Sequence, residues 1–85
     1  MYILYILRCK DNSLYTGITN NLEARLEKHR IGKGSKYVKA HLPFKLVYTE
    51  ELPDKSTALK REIEIKNLDK LSKELLIKDS AFKQS

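Results

Sequence analysis

The sequence predicts a small mixed fold of the α/β (α+β) class, with elements in the order β-β-α-(α)-β-α-α. Three observations carry this expectation. Residues 1–19 hold two runs rich in tyrosine and β-branched residues around the polar turn Lys10-Asp11-Asn12-Ser13, the pattern of a β-hairpin. After Pro43, Phe44, Leu46 and Tyr48 alternate with Lys45, Val47 and Thr49, as in a third strand. Elsewhere, apolar residues recur at helical spacing behind good capping residues.

The first run is apolar on both faces, with Tyr2, Leu4 and Ile6 on one and Ile3, Tyr5 and Leu7 on the other. Such a strand belongs in the middle of a sheet, covered twice. Antiparallel pairing with the second run brings Tyr5 and Tyr15 together and leaves a gap in the side-chain surface at Gly17. Phenols placed there need polar partners.

Asn20 or Asn21 then caps the helical segment LEARLEKHRIG, which stops at Gly32. Leu22 and Leu26 form its inward stripe, and Arg25 and His29 project together beside it, one turn apart. The basic connector GKGSKYVKA follows, with Ser35 as the cap of a short helix carrying Tyr37 and Val38. The connector lacks the pattern of a phosphate-binding P-loop. The third strand is expected to be antiparallel to its neighbour and less buried than the first.

Asp54 or Ser56 caps the next helix, which projects Ala58, Leu59, Ile63, Ile65 and Leu68 toward one broad side. At about 100° per residue, Glu62 falls in the middle of that apolar sector while Glu64 faces water. A carboxylate in an apolar arc is costly unless it is paired, protonated or bound to a cation. The last helix is expected to turn Leu71, Leu75, Leu76 and Ile77 inward, with a further contact from Phe82. Residues 1–80 read as one domain, and 81–85 as a fraying tail.

Composition narrows the function. Eighty-five residues with 41% hydrophobic and 33% charged side chains suit one soluble domain, too small for a large internal cavity. The longest apolar run, residues 1–7, is too short to cross a bilayer and lacks the flanks of a signal peptide, so a cytoplasmic address is expected. The single Cys9 forms no internal disulfide or cysteine-rich zinc site and reads as a small buried hydrophobe. Seventeen Lys and Arg against eleven acids give a net charge of +6, which favours a polyanionic partner. Nucleic acid comes first and an anionic membrane second.

Phosphodiester hydrolysis needs a base or nucleophile, a cation on the non-bridging oxygens and relief of charge on the leaving oxygen. The hairpin tyrosines, Arg25 with His29, and Glu62 holding a divalent ion match those tasks. The acid is lone, which points to one metal ion rather than two. Each residue also has a plainer reading. Tyr5 and Tyr15 suit core aromatics, and Arg25 and His29 a solvated helix flank. Glu62 suits an ion pair with Lys66 or Arg25. Tyr37 suits packing, and Lys33, Lys36 and Lys39 suit solvation or backbone contact.

Taken in order, the residues resemble the GIY-YIG nuclease superfamily. Ile3-Leu4-Tyr5 stands where that family has GIY, and Tyr15-Thr16-Gly17 stands for YIG. Asn20-Asn21-Leu22, Arg25 and His29 follow at matching spacing, and Arg61-Glu62 lies on the later helix. The resemblance runs from about Tyr2 to Ile77 and is strongest to small stand-alone bacterial members (the UPF0213 type), which carry LYTGIT, GKGSKY, LVY and a segment like Arg61 to Lys66.

The resemblance implies a three-stranded antiparallel sheet flanked by helices, and an endonuclease-type activity on DNA. It further implies that Glu62 coordinates Mg²⁺ or Mn²⁺ and that Arg25 steadies the scissile phosphate. Tyr5 or Tyr15 would activate water or attack, with His29 as acid–base helper or orienter. Family members often carry an asparagine beyond the glutamate, for which Asn67 is the candidate. Gly17 and the connector residues Lys33, Lys36, Tyr37 and Lys39 are the expected contacts to DNA. So short a chain has little surface for base-specific reading, so specificity would come from branched or nicked DNA or from a protein partner. The alternative is a basic nucleic-acid-binding or partner-docking module that retains an inactive nuclease-like pocket.

Overall fold

The computed structural model describes residues 1–84, with side chains through residue 80. Its elements are β1 (Tyr2–Cys9), β2 (Leu14–Thr19), α1 (Leu22–Arg30), α2 (Lys36–Ala40), β3 (Phe44–Leu52), α3 (Lys55–Lys66) and α4 (Lys70–Gln84). The strands form one antiparallel sheet in the order β2-β1-β3, as expected.

Strand β1 is central because its two faces are both apolar. Leu4 and Ile6 pack with Ile65 of α3 and Ile77 of α4, while Tyr5 and Leu7 pack with Leu26 of α1 and Val38 of α2. The sheet therefore separates two cores, with the first pair of helices on one face and the second pair on the other. Each fully buried Leu or Ile contributes about 1.5–3 kcal/mol relative to exposure.

The helix starts follow the sequence. Asn21 Oδ1 accepts a hydrogen bond from the Ala24 N–H at 3.1 Å, and Asp54 Oδ1 accepts from the Thr57 N–H at 2.8 Å. Ser35 caps α2, and Gly32 takes the left-handed conformation just past α1 (φ 80°). That conformation would strain most other residues.

Three expectations about facing need correction. The register on β3 passes from Ile6↔Tyr48 to Leu7↔Leu46, so Val47 is an extra residue in the ladder. Val47 then joins the Leu4–Ile6 core beside Tyr48, while Leu46 is exposed. On α3, Ala58 and Ile65 turn inward, but Ile63 is 60% exposed and Leu59 and Leu68 also meet solvent. The helix docks along a stripe narrower than its apolar arc. On α4, Leu76 and Ile77 face the core, but Leu71 and Leu75 are 69% and 53% exposed. Here a polar contact helps set the helix rotation, because Arg8 of β1 donates both terminal nitrogens to Glu74 at 2.7 and 2.6 Å.

The expected contact of Phe82 and the fraying of residues 81–85 lie outside the residues whose side chains are described. Among the described residues, no helix is long and apolar enough to cross a membrane. Cys9 is buried, and burial raises its thiol pKa, as suits a structural cysteine.

Candidate active site

The polar side chains that converge do so on the α1–α2 face of the sheet. Tyr5 lies directly opposite Gly17 in the β1–β2 ladder, and its ring covers the glycine. A Cβ at position 17 would stand 2.6 Å from the Tyr5 hydroxyl. The gap expected at Gly17 is therefore filled by the phenol, and Gly17 is buried beneath it rather than open to a phosphate.

Helix α1 delivers the partners that the phenol needs. His29 and Arg25, one turn apart, both reach Tyr5. The Tyr5 hydroxyl lies 2.8 Å from His29 Nε2, and Arg25 Nε donates to the same oxygen at 3.4 Å. Tyr5 and His29 are 1% and 0% exposed. With Arg25 donating to its oxygen, the hydroxyl's own proton is directed to Nε2, so the chain runs Arg25 to Tyr5 to His29. Tyr15 borders the pair, its ring centroid 6.4 Å from Tyr5 and 5.4 Å from His29. Tyr37 of α2 stacks on Tyr15 and on His41, so its ring has a packing role.

The electrostatics favour neutral forms within the pair. Burial, reinforced by the Arg25 charge, lowers the His29 pKa, leaving a neutral imidazole with an acceptor nitrogen at pH 7. Burial raises the Tyr5 pKa; the Arg25 hydrogen bond opposes that rise, and Tyr15 and Glu62 add to it.

His29 Nδ1 is buried and has no hydrogen-bond partner among the described residues. Gly34 of the connector lies flat against the ring. A Cβ there would meet Nδ1 at 2.5 Å, and Arg25 Nη2 donates to the Gly34 carbonyl at 3.0 Å. Sequence reasoning missed Gly34 as a site residue, having tested the GKG segment only against phosphate loops. The signal that could have found it was a glycine placed one residue before a capping serine.

Glu62 stands apart from this group. It comes from α3, which packs against β2 and β1, and it hydrogen-bonds none of Tyr5, Tyr15, Arg25 or His29. Its partner is Lys66 one turn on, at 3.5 Å, as one of the plainer readings expected. The carboxylate is 17% exposed, so it is sheltered but reachable, and its charge is felt at Tyr5. The described residues contain no cluster of three or more His, Cys, Asp or Glu side chains able to hold a metal. One reachable carboxylate with an exposed, flexible lysine as partner suits a hard divalent cation that keeps most of its waters.

The remaining candidates divide. Lys33, Lys36 and Lys39 are exposed on the connector and α2. Asn67 caps the end of α3 through its backbone N–H and is exposed. Arg61 donates to Glu50 at 2.9 Å, and Tyr48 donates to the same carboxylate at 2.6 Å, a network that ties α3 to β3.

The chain is similar to known proteins over most of its length. Residues 1–74 match a family model described as the GIY-YIG catalytic domain. The chain is 49% identical over 78 residues to a UPF0213 protein of Staphylococcus haemolyticus, covering 92% of this chain and 95% of that one. A UPF0213 protein of Natronomonas pharaonis is 45% identical over 78 residues, 92% of each chain. The solution NMR structure of a UPF0213 protein from Bacillus halodurans superposes with a TM-score of 0.60 at 44% identity, covering 92% of this chain and 84% of that one.

Proposed function

The chain belongs to the GIY-YIG family, and on that premise we propose that it is a metal-dependent endonuclease-type domain that hydrolyses DNA phosphodiester bonds. The observation that carries the reading is the buried Tyr5–His29 hydrogen bond of 2.8 Å with Arg25 on the same oxygen. A tyrosine is a weak base unless its own proton has somewhere to go. Neutral His29 supplies that place. As water attacks phosphorus and the P–O bond to the leaving oxygen breaks, the water's proton passes to the Tyr5 oxygen and the Tyr5 proton passes to Nε2, so Tyr5 stays neutral and His29 takes up the positive charge.

Arg25 would turn its guanidinium from the Gly34 carbonyl to the phosphate, whose two non-bridging oxygens offer the bidentate acceptor to which arginine is suited. Tyr15 walls the pocket. Glu62 would hold Mg²⁺ or Mn²⁺ once released from Lys66. When bound, such an ion supplies Lewis-acid stabilisation of the phosphate and the leaving oxygen. Lys33, Lys36 and Lys39 add cationic surface for the DNA backbone, and a branched or nicked substrate or a protein partner would set the cutting position.

One observation favours a second reading. The Glu62–Lys66 pair gives the carboxylate a role without metal, so the protein would be a nucleic-acid-binding or partner-docking module with an inactive pocket.

Nicking of supercoiled and branched DNA with Mg²⁺ or Mn²⁺ separates the two. The hydrolase reading expects cleavage by the wild type, none with chelator, and a loss of at least about 100-fold in Glu62→Ala with DNA binding retained. Binding without cleavage under every condition favours the module, and undiminished cleavage by Glu62→Ala overturns the metal assignment.

A further inference from the structure

A second feature lies at the hairpin end of the sheet, away from Tyr5. Arg8 and Lys45 are directly opposed across β1 and β3. Like charges in that position destabilise a sheet. Glu74 neutralises Arg8, but among the described residues Lys45 and its neighbour Lys10 have no acidic partner within ion-pair distance. Lys70 is held nearby by its bond to the Asn12 carbonyl at 2.6 Å.

Arg8, Lys10 and Lys45 line a hollow of about 430 Å³ together with Asn12, Pro43 and Phe44. A smaller hollow of about 240 Å³ adjoins it, lined by Arg30, Leu42, Pro43 and Phe44. Phe44 joins this region to the catalytic pocket. Its ring centroid is 6.1 Å from that of His29, and the Arg30 guanidinium lies 5.8 Å above it.

We propose that this hollow seats one unpaired nucleotide of the DNA strand, with its phosphate on Lys10 and Lys45 and its base against Pro43 and Phe44. The inference rests on the nuclease reading and narrows its substrate to DNA with a single-stranded segment beside the cut. Charge favours a polyanion, and the concave shape favours a single nucleotide over a duplex. A duplex keeps its bases stacked on one another and offers only phosphates, whereas an unpaired base can use an aromatic side chain. An anion between Lys10 and Lys45 also supplies the counter-charge that these two lysines lack.

The test is binding without divalent metal, read by fluorescence anisotropy across a salt series. The ligands are a labelled oligothymidylate and a blunt duplex of equal length, with thymidine 5′-monophosphate as competitor. For the oligothymidylate, Lys10→Ala with Lys45→Ala is expected to flatten the slope of log affinity against log salt by about 0.7 per lysine. Phe44→Leu, which keeps the site apolar, is expected to weaken the single strand about tenfold and leave the duplex unchanged. An unchanged slope in the double variant overturns the proposal, as does equal loss on the duplex or full competition by the monophosphate at equal concentration. The two readings fail separately. A single strand that binds in this way but is never cut overturns hydrolysis alone, and a strand that is cut but binds equally to the variants overturns the nucleotide seat alone.

Discussion

Gly34 is the residue on which the geometry of His29 most depends. The Tyr5 hydroxyl holds the imidazole at Nε2, but the Nδ1 edge has no partner and is held by shape, which a missing side chain supplies. Gly34→Ala puts a methyl group 2.5 Å from Nδ1, so either the ring or the connector must move. The expected result is a histidine with altered ring-nitrogen shifts and a pKa closer to the ordinary value of about 6.5, followed by NMR, with the fold retained. In the wild type the same spectra are expected to show a neutral ring at pH 7 that carries its proton on Nδ1. Residue types and spacing made Tyr5, Tyr15, Arg25 and His29 legible in the sequence, because a strand and a helix impose fixed periods. Gly34 was not legible, since its role is a contact between segments that nothing local records. Gly17 was legible as special, but the sequence could not say that Tyr5 itself occupies the space.

At the scale of elements, strand order was legible and each cap was placed or narrowed to two residues, whereas the facing of β3, α3 and α4 was not. The hairpin, the central β1 and the caps Asn21, Ser35 and Asp54 depend on neighbours in sequence. The rotations of α3 and α4 depend on partners far away. Arg8–Glu74 spans 66 residues, and it accompanies a rotation that leaves Leu71 and Leu75 in solvent. Leu75→Gln is accordingly expected to change stability by no more than about 0.5 kcal/mol. Ile77→Ala, on the same helix, is expected to cost about 2–5 kcal/mol in chemical denaturation. The bulge at Val47 escaped notice because a strand with one extra residue still alternates on either side of it. The Tyr48–Glu50–Arg61 network anchors α3, which carries Glu62, to β3. Arg61→Met is expected to cost about 1–2 kcal/mol, as loss of a partly buried charged hydrogen bond does. It is also expected to reduce metal-dependent cleavage more than DNA binding.

For the whole molecule, the buried neutral histidine links the site to global stability. The His29 pKa is lower folded than unfolded, so the unfolded chain binds the extra proton first as pH falls. The stabilisation is present above the unfolded value of about 6.5 and is lost as pH drops through that value toward the folded one. Thermal melts between about pH 7.5 and about pH 5.5, one unit either side of that value, are expected to fall with pH in the wild type. They are expected to fall less steeply in His29→Gln. The carboxylates with lowered pKa values, such as Glu74 beside Arg8, act at lower pH. On the proposed function, the net charge of +6 would steer the approach to DNA, while the chemistry would rest on one hydroxyl. Single-turnover cleavage of branched DNA by Tyr5→Phe, at protein concentrations that saturate binding, isolates that hydroxyl while keeping the ring over Gly17. The predicted result is full binding with cleavage slowed by about 10²–10⁴-fold; cleavage at the wild-type rate would contradict the proton relay from Tyr5 to His29.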